Sequence, residues 1–76
     1  MLVRSQSKEH LVDAILIGIT KRNNKILVYA QYAANNETRN NLVEIGEYQT
    51  KEMAIKEIDD IMQFFSENPS GIYQMK

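Results

Sequence analysis

The chain has 76 residues, nine basic and ten acidic side chains and a net charge of -1, so it offers one small core and no electrostatic attraction for a duplex phosphate backbone. It has no cysteine, which rules out disulfides and thiolate metal sites and fits a reducing cytoplasm. A domain of this size buries only about 60% of its unfolded surface, a marginal figure that self-association would improve. The longest apolar run, Ala14 to Ile17, is far too short to span a bilayer, and no secretory pattern follows Met1. The expectation is one domain over residues 1–76, cytoplasmic, with no membrane partner and with nucleic acid disfavoured.

Taken in order, Leu2-Val3 opens a short strand, and the polar stretch Arg4 to His10 turns the chain. Leu11 to Thr20 is the strongest strand candidate, apolar on both parities at Ala14, Ile15, Leu16, Ile17 and Ile19, as in a central strand covered on both faces. Asn23-Asn24 tolerates the positive φ angles of a tight hairpin, whose second arm is Ile26 to Ala33. Ala34 to Asn41 reads as an exposed loop; its Asn36-Glu37-Thr38 matches a glycosylation pattern, but no secretory signal supports that reading. Leu42 to Tyr48 resumes as a strand in which Val43 and Ile45 share one face and Leu42, Glu44, Gly46 and Tyr48 the other. Gly46 within it marks a bulge or the close approach of a bulky neighbour, with the following helix as the expected neighbour.

Thr50 to Glu67 is the one long segment with a helical apolar period. Ala54, Ile55, Ile58, Ile61, Met62 and Phe65 fall within roughly 120° of one another, which predicts a helix packed on one partner layer. Thr50 suits the N-cap, and Glu52 suits the positive end of the dipole and an i,i+4 pair with Lys56. Asn68 in a left-handed conformation, followed by Pro69, stops it. Ser70-Gly71 turns the chain into a short last strand, Ile72 to Met75. The fold class is α+β: a single antiparallel sheet of four to five strands, in the order β-β-β-β-α-β, with one C-terminal amphipathic helix packed on one face.

Several of these segments carry a pattern. The opening Leu2-Val3-Arg4-Ser5-Gln6-Ser7-Lys8, the block Glu44 to Glu52 with Ala54 and Ile58-Asp59-Asp60-Ile61, and the ending Ile72-Tyr73-Gln74-Met75 together resemble a family of small uncharacterised proteins encoded in phages and mobile elements of Firmicutes and related bacteria. Position two is leucine where that family more often has tryptophan, and Leu11 to Asn41 carries no matching motif. The resemblance implies a mobile-element origin and a cytoplasmic setting. It implies no activity and no site residue.

The inventory for catalysis is thin, with one histidine and no phosphate-binding glycine loop, so no enzyme, cofactor or metal is expected. His10 lies in a polar turn without a partner, and Asp59 and Asp60 point about 100° apart on the helix. Asp13, inside an apolar strand, is either an exposed strand end or a buried carboxylate needing a partner. Tyr29 and Tyr32 beside Lys21, Arg22 and Lys25 form a candidate platform for single-stranded nucleic acid, although their strand parities oppose.

Apolar residues outside the helix stripe are of more use. Met53 and Phe64 lie roughly 120° to 140° from Ile58, and with Tyr48, Tyr73 and Met75 they form the candidate interface set, covered either by the chain's own last strand or by a second subunit. The leading expectation is a non-enzymatic protein of a phage or mobile element that binds a host or element protein stoichiometrically, as regulator or inhibitor. Glu52, Asp59, Asp60 and Glu67 are its candidate acidic partner face. The alternative is a binder of a small nucleotide signal at the subunit interfaces of a homo-oligomer, with Arg4, Lys8 and Arg22 as candidate anion contacts.

Overall fold

The computed structural model describes residues 1–33 and 41–76. Its elements are β1 (Leu2–Arg4), β2 (Leu11–Arg22), β3 (Lys25–Tyr32), β4 (Leu42–Tyr48), α1 (Lys51–Glu67) and β5 (Ile72–Gln74). They form one five-stranded sheet in the order β4-β3-β2-β1-β5, with β2 in the centre and the one helix near the C-terminus. The sheet is mixed: β1–β2, β2–β3 and β3–β4 are antiparallel, whereas β5 pairs parallel to β1. α1 carries the chain from β4 at one edge to β5 at the other, and β5 runs opposite to β4 and hence parallel to β1. The expected loop 34–41, with its Asn36-Glu37-Thr38, lies outside the described residues except for Asn41.

Asn23 and Asn24 form the β2–β3 turn with φ of 53° and 64°, the paired positive angles of a type I′ hairpin. Arg22 faces Lys25 across it. The helix starts where its cap predicts: Thr50 is extended, and its Oγ1 accepts the Met53 N–H at 3.1 Å. Its end differs from expectation. Asn68 sits at φ -137°, outside the left-handed region, and stops the helix by giving both its backbone N–H and its Nδ2 to the Phe64 carbonyl.

Two bulges set which side chains face the helix. Ala14 pairs with Tyr32 and Leu16 with Gln31, leaving Ile15 as an extra residue. A bulge reverses strand parity. Val12 and Ala14 before it therefore join Ile17 and Ile19 after it in one core with Val28, Ala30, Ala54 and Ile61. The apolar character of β2 on both parities thus reports a bulge, not cover on both faces: Leu11, Ile15 and Leu16 are exposed. In β4, Val28 pairs with Gly46 and Tyr29 with Glu44, so Ile45 is the extra residue. The simple alternation expected there gives way, and Val43, Gly46 and Tyr48 all share the ladder positions of Ala30, Val28 and Ile26.

The bulge at Ile45 also closes the sheet on itself. In a flat sheet of this order β4 and β1 would stand about 14 Å apart. Instead Gln6, two residues past β1, donates its N–H to the Ile45 carbonyl at 2.8 Å, and its Oε1 accepts the Glu47 N–H at 2.7 Å. Tyr48 Oη reaches the Lys76 carbonyl at 2.9 Å. The sheet is curled, and the Gln6 side chain stands in for a strand against the β4 edge.

Candidate functional site

The helix face is rotated from the expected stripe. Ala54, Glu57 and Ile61 are its buried residues, whereas Ile55 and Met62 are exposed. The rotation comes from β5, which packs beside the helix and covers the flank carrying Glu57 and Phe64. The Phe64 ring lies edge-on to Tyr73 at 5.4 Å and to Phe65 at 5.0 Å, and packs on Gly71, where a Cβ would come within 2.9 Å of it. Tyr73 and Met75 are buried, and Tyr48 is half-buried. Four of the five candidate interface residues, Tyr48, Phe64, Tyr73 and Met75, are therefore covered by the chain's own last strand and its continuation. Met53 alone is exposed, at 50%.

Glu57 is the charged residue that the sequence reading passed over. It is 5% exposed, and its Oε2 accepts the Tyr73 hydroxyl at 3.0 Å and the Lys76 N–H at 2.8 Å. Burial raises the Tyr73 hydroxyl above the usual phenol range, and the hydrogen bond and charge of Glu57 raise it further. Tyr48 is raised likewise, by burial first and then by Glu57 and Tyr73. This network fastens the C-terminal segment to the helix and presents no group to solvent as a reagent. A signal for it existed: on the helical wheel Glu57 falls between Ile61 and Phe64, bridging the apolar arc and the apolar residues left outside it.

The acidic face does not hold a uniform field. Asp60 lies 3.4 Å from both Lys56 and Lys76. Partial desolvation pushes its carboxyl up, but the hydrogen bonds and charges of the two lysines outweigh that and hold it below the usual range. Lys56 thus turns to Asp60, not to the expected Glu52, and Glu67 accepts from Gln63 at 2.6 Å. Glu52 and Asp59 remain exposed beside them.

The candidate anion contacts do not converge. Arg4 Nε donates to the Lys8 carbonyl in the β1–β2 turn, whereas Arg22 stands at the far end of β2, paired with Glu44. Of the hairpin cations, Lys25 is matched as Arg22 is, lying 3.8 Å from Glu47. Tyr29 folds over Gly18, whereas Tyr32 faces Ala14, so the two rings form no single platform. Asp13 is exposed, and among the described residues no three carboxylates or histidines gather to hold a metal.

What the fold leaves open is the sheet face away from the helix. Cross-strand pairing aligns Leu16, Gln31 and Leu42 in one row and Gly18, Tyr29 and Glu44 in the next. Leu16 and Leu42 are 45% and 48% exposed, with the half-buried Tyr29 ring between them over Gly18. Toward the hairpin the patch ends in the Arg22–Glu44 and Lys25–Glu47 ion pairs, which flank the buried Leu27. Leu16, Leu42 and the Tyr29 ring thus surround Gln31 on this face, with charged residues toward the hairpin. Separate from this face, at the end of the sheet beside the Ile15 bulge, a cleft of about 680 Å³ is lined by Leu11 and Ile15 together with Tyr32 and Val43, which share the ladder positions of Ala14 and Ala30.

Among the described residues no helix is long and apolar enough to cross a membrane. The chain matches no family model, no curated protein and no solved structure with which it was compared.

Proposed function

We propose that this is a non-enzymatic interaction protein of phage or mobile-element origin, acting in the bacterial cytoplasm by stoichiometric binding to a host or element protein as regulator or inhibitor. The origin and setting rest on the sequence resemblance. The binding mode rests on one observation: the helix covers only one face of the sheet, and the other presents Leu16, Tyr29 and Leu42 together, bordered by two ion pairs. Scattered exposed leucines need no explanation, but an aligned set on an uncovered sheet face is a site for another surface. Within one chain Arg4 and Lys8 share the β1–β2 turn while Arg22 stands at the far end of β2, so protein recognition through the outer face is the reading we favour over a nucleotide signal.

The test is affinity capture from the bacterial host with the wild-type chain and with Leu42→Asp, which places a charge in the centre of the patch without touching the core. The reading requires a partner captured in fixed proportion by wild type and lost with Leu42→Asp at unchanged melting temperature. Capture that survives Leu42→Asp but is lost on reversing Asp59 and Asp60 to lysine would move the site to the helix.

A further inference from the structure

Among the described residues the longest strand is paired on one side at a time. From Ala14 to Arg22, β2 lies against β3, but on its other side β1 reaches only Leu11 to Asp13, with two further bonds between Ala14 and Met1, the Ala14 N–H donating to the Met1 carbonyl and the Met1 ammonium to the Ala14 carbonyl. Beyond Ala14 that side of β2 has no strand beside it among the described residues. The type I′ turn fixes which groups point there. In such a hairpin the closing pair, Arg22 and Lys25, exchanges both of its bonds, and bonded pairs then alternate: Thr20 with Leu27, Gly18 with Tyr29, Leu16 with Gln31. Ile17, Ile19 and Lys21 therefore turn their N–H and C=O groups outward. No hydrogen bond to these groups exists among the described residues.

Natural edges are protected by charge, proline, bulges or short length. From Leu16 to Thr20 this edge has none of these; its bulge lies before the stretch and its charges, Lys21 and Arg22, after it. The chemistry of the edge selects an extended backbone as its occupant. Its sequence makes a second copy of itself a fitting one, because antiparallel pairing about Gly18 sets Ile17 against Ile19 and Gly18 against itself, and pairing about Ile19 sets Ile19 against itself and Gly18 against Thr20. In either register neither Lys21 nor Arg22 meets its own counterpart.

We infer that two copies of this chain associate through β2, antiparallel across a twofold axis centred near Gly18 to Ile19, joining their sheets into one continuous sheet. The surface involved is the strand edge, so this association is independent of what the outer patch around Leu42 binds. It also provides the self-association that so small a core favours.

The test is solution mass over a concentration series into the millimolar range, with amide hydrogen exchange read residue by residue. The expected result is a mass rising from 8.8 kDa toward twice that value, with the Ile17, Ile19 and Lys21 amides slowing at least tenfold as it rises. Two variants accompany it. Ile19→Pro removes an outward donor without removing a bond to β3. Leu16→Lys with Thr20→Lys alters exposed side chains only and brings like charges together across the axis in both registers. Both should remain monomeric, the double-lysine chain with the melting temperature that wild type has at concentrations where it is monomeric. A wild type that stays at 8.8 kDa throughout overturns the inference. So does a dimer in which those three amides exchange as freely as in the monomer, or one that the double-lysine variant leaves intact.

Discussion

The hydroxyl of Tyr73, on the last strand, donates to the carboxyl of Glu57, on the helix, at 3.0 Å in the interior of the molecule. A carboxyl on the buried face of a helix is costly unless its oxygens are used. Here one oxygen serves both the Tyr73 hydroxyl and the Lys76 N–H, so the polar group that interrupts the helix's apolar arc also fixes the register of the terminal segment against it. Apolar packing of Phe64 on Tyr73 and Gly71 holds the same two elements together but is less directional.

Replacement of Glu57 separates size from hydrogen bonding. Glu57→Leu keeps the volume but leaves the Tyr73 hydroxyl buried without a partner, at about 1–3 kcal/mol. Glu57→Gln retains an oxygen that accepts both donors and should cost well under half as much. Urea unfolding of the two variants measures the difference. Equal losses would mean that the carboxyl contributes packing alone.

The same pair gives the protein an alkaline limit. Tyr73 and Tyr48 are raised in the folded state, so both stay protonated there while an unfolded chain begins to lose their protons near pH 10. The unfolded state then binds fewer protons, and stability falls as pH rises. Their contribution is complete below pH 10 and is lost progressively above it, at up to about 1.4 kcal/mol per pH unit for each group. Tyr73→Phe removes one such group, so its stability should fall less steeply than that of wild type between about pH 10 and 11.5. Parallel curves for the two proteins would show that Tyr73 titrates normally.

Why some of this was legible and some was not follows from particular residues. Thr50, Pro69 and the period from Ala54 to Phe65 mark the helix, and Asn23-Asn24 marks the hairpin, because caps and turns are local and their chemistry is written at their own positions. β4 begins and ends where its alternation of apolar residues begins and ends. The rotation of the helix was not local: it depends on β5 returning beside Glu57 and Phe64, so Phe64, Tyr73 and Met75 read as surplus apolar residues until that return is known. The bulges at Ile15 and Ile45 were hidden for a related reason. An extra residue shows only against a partner strand, and alone it looks like an apolar run or an ordinary alternation. The outer patch depends on both, since Leu16 joins Leu42 only after the bulge has reversed β2.

The helix start should respond to its cap in isolation from the core. Thr50→Ala deletes the acceptor for the Met53 N–H and should cost about 1 kcal/mol, with Thr50→Ser close to neutral. Met53 and its neighbours in the first turn are exposed apart from Ala54, so the loss should appear first as faster amide exchange there, ahead of any change in the sheet. A loss spread evenly over the molecule would indicate that the first turn does not fray independently.

Two glycines lie under tyrosine rings, and they should differ in what a methyl group costs. At Gly18 a Cβ would come within 2.5 to 2.9 Å of the Tyr29 ring, but Tyr29 lies on the open face of the sheet, and among the described residues no hydrogen bond holds its hydroxyl. The ring can swing outward, so Gly18→Ala should cost about 1 kcal/mol, and less in a Tyr29→Ala background. At Gly46 a Cβ would come within 2.9 to 3.2 Å of the Tyr48 ring. That ring is tethered through its hydroxyl to the Lys76 carbonyl and packs against the core, so moving it breaks the bond that helps close the curled sheet. Gly46→Ala should therefore cost about 2–3 kcal/mol, the sum of overpacking and a lost hydrogen bond. Denaturation midpoints of the two alanine variants, measured side by side, decide the matter: a Gly46→Ala chain as stable as Gly18→Ala would show that Tyr48 is free to move and that the sheet closes through Gln6 alone.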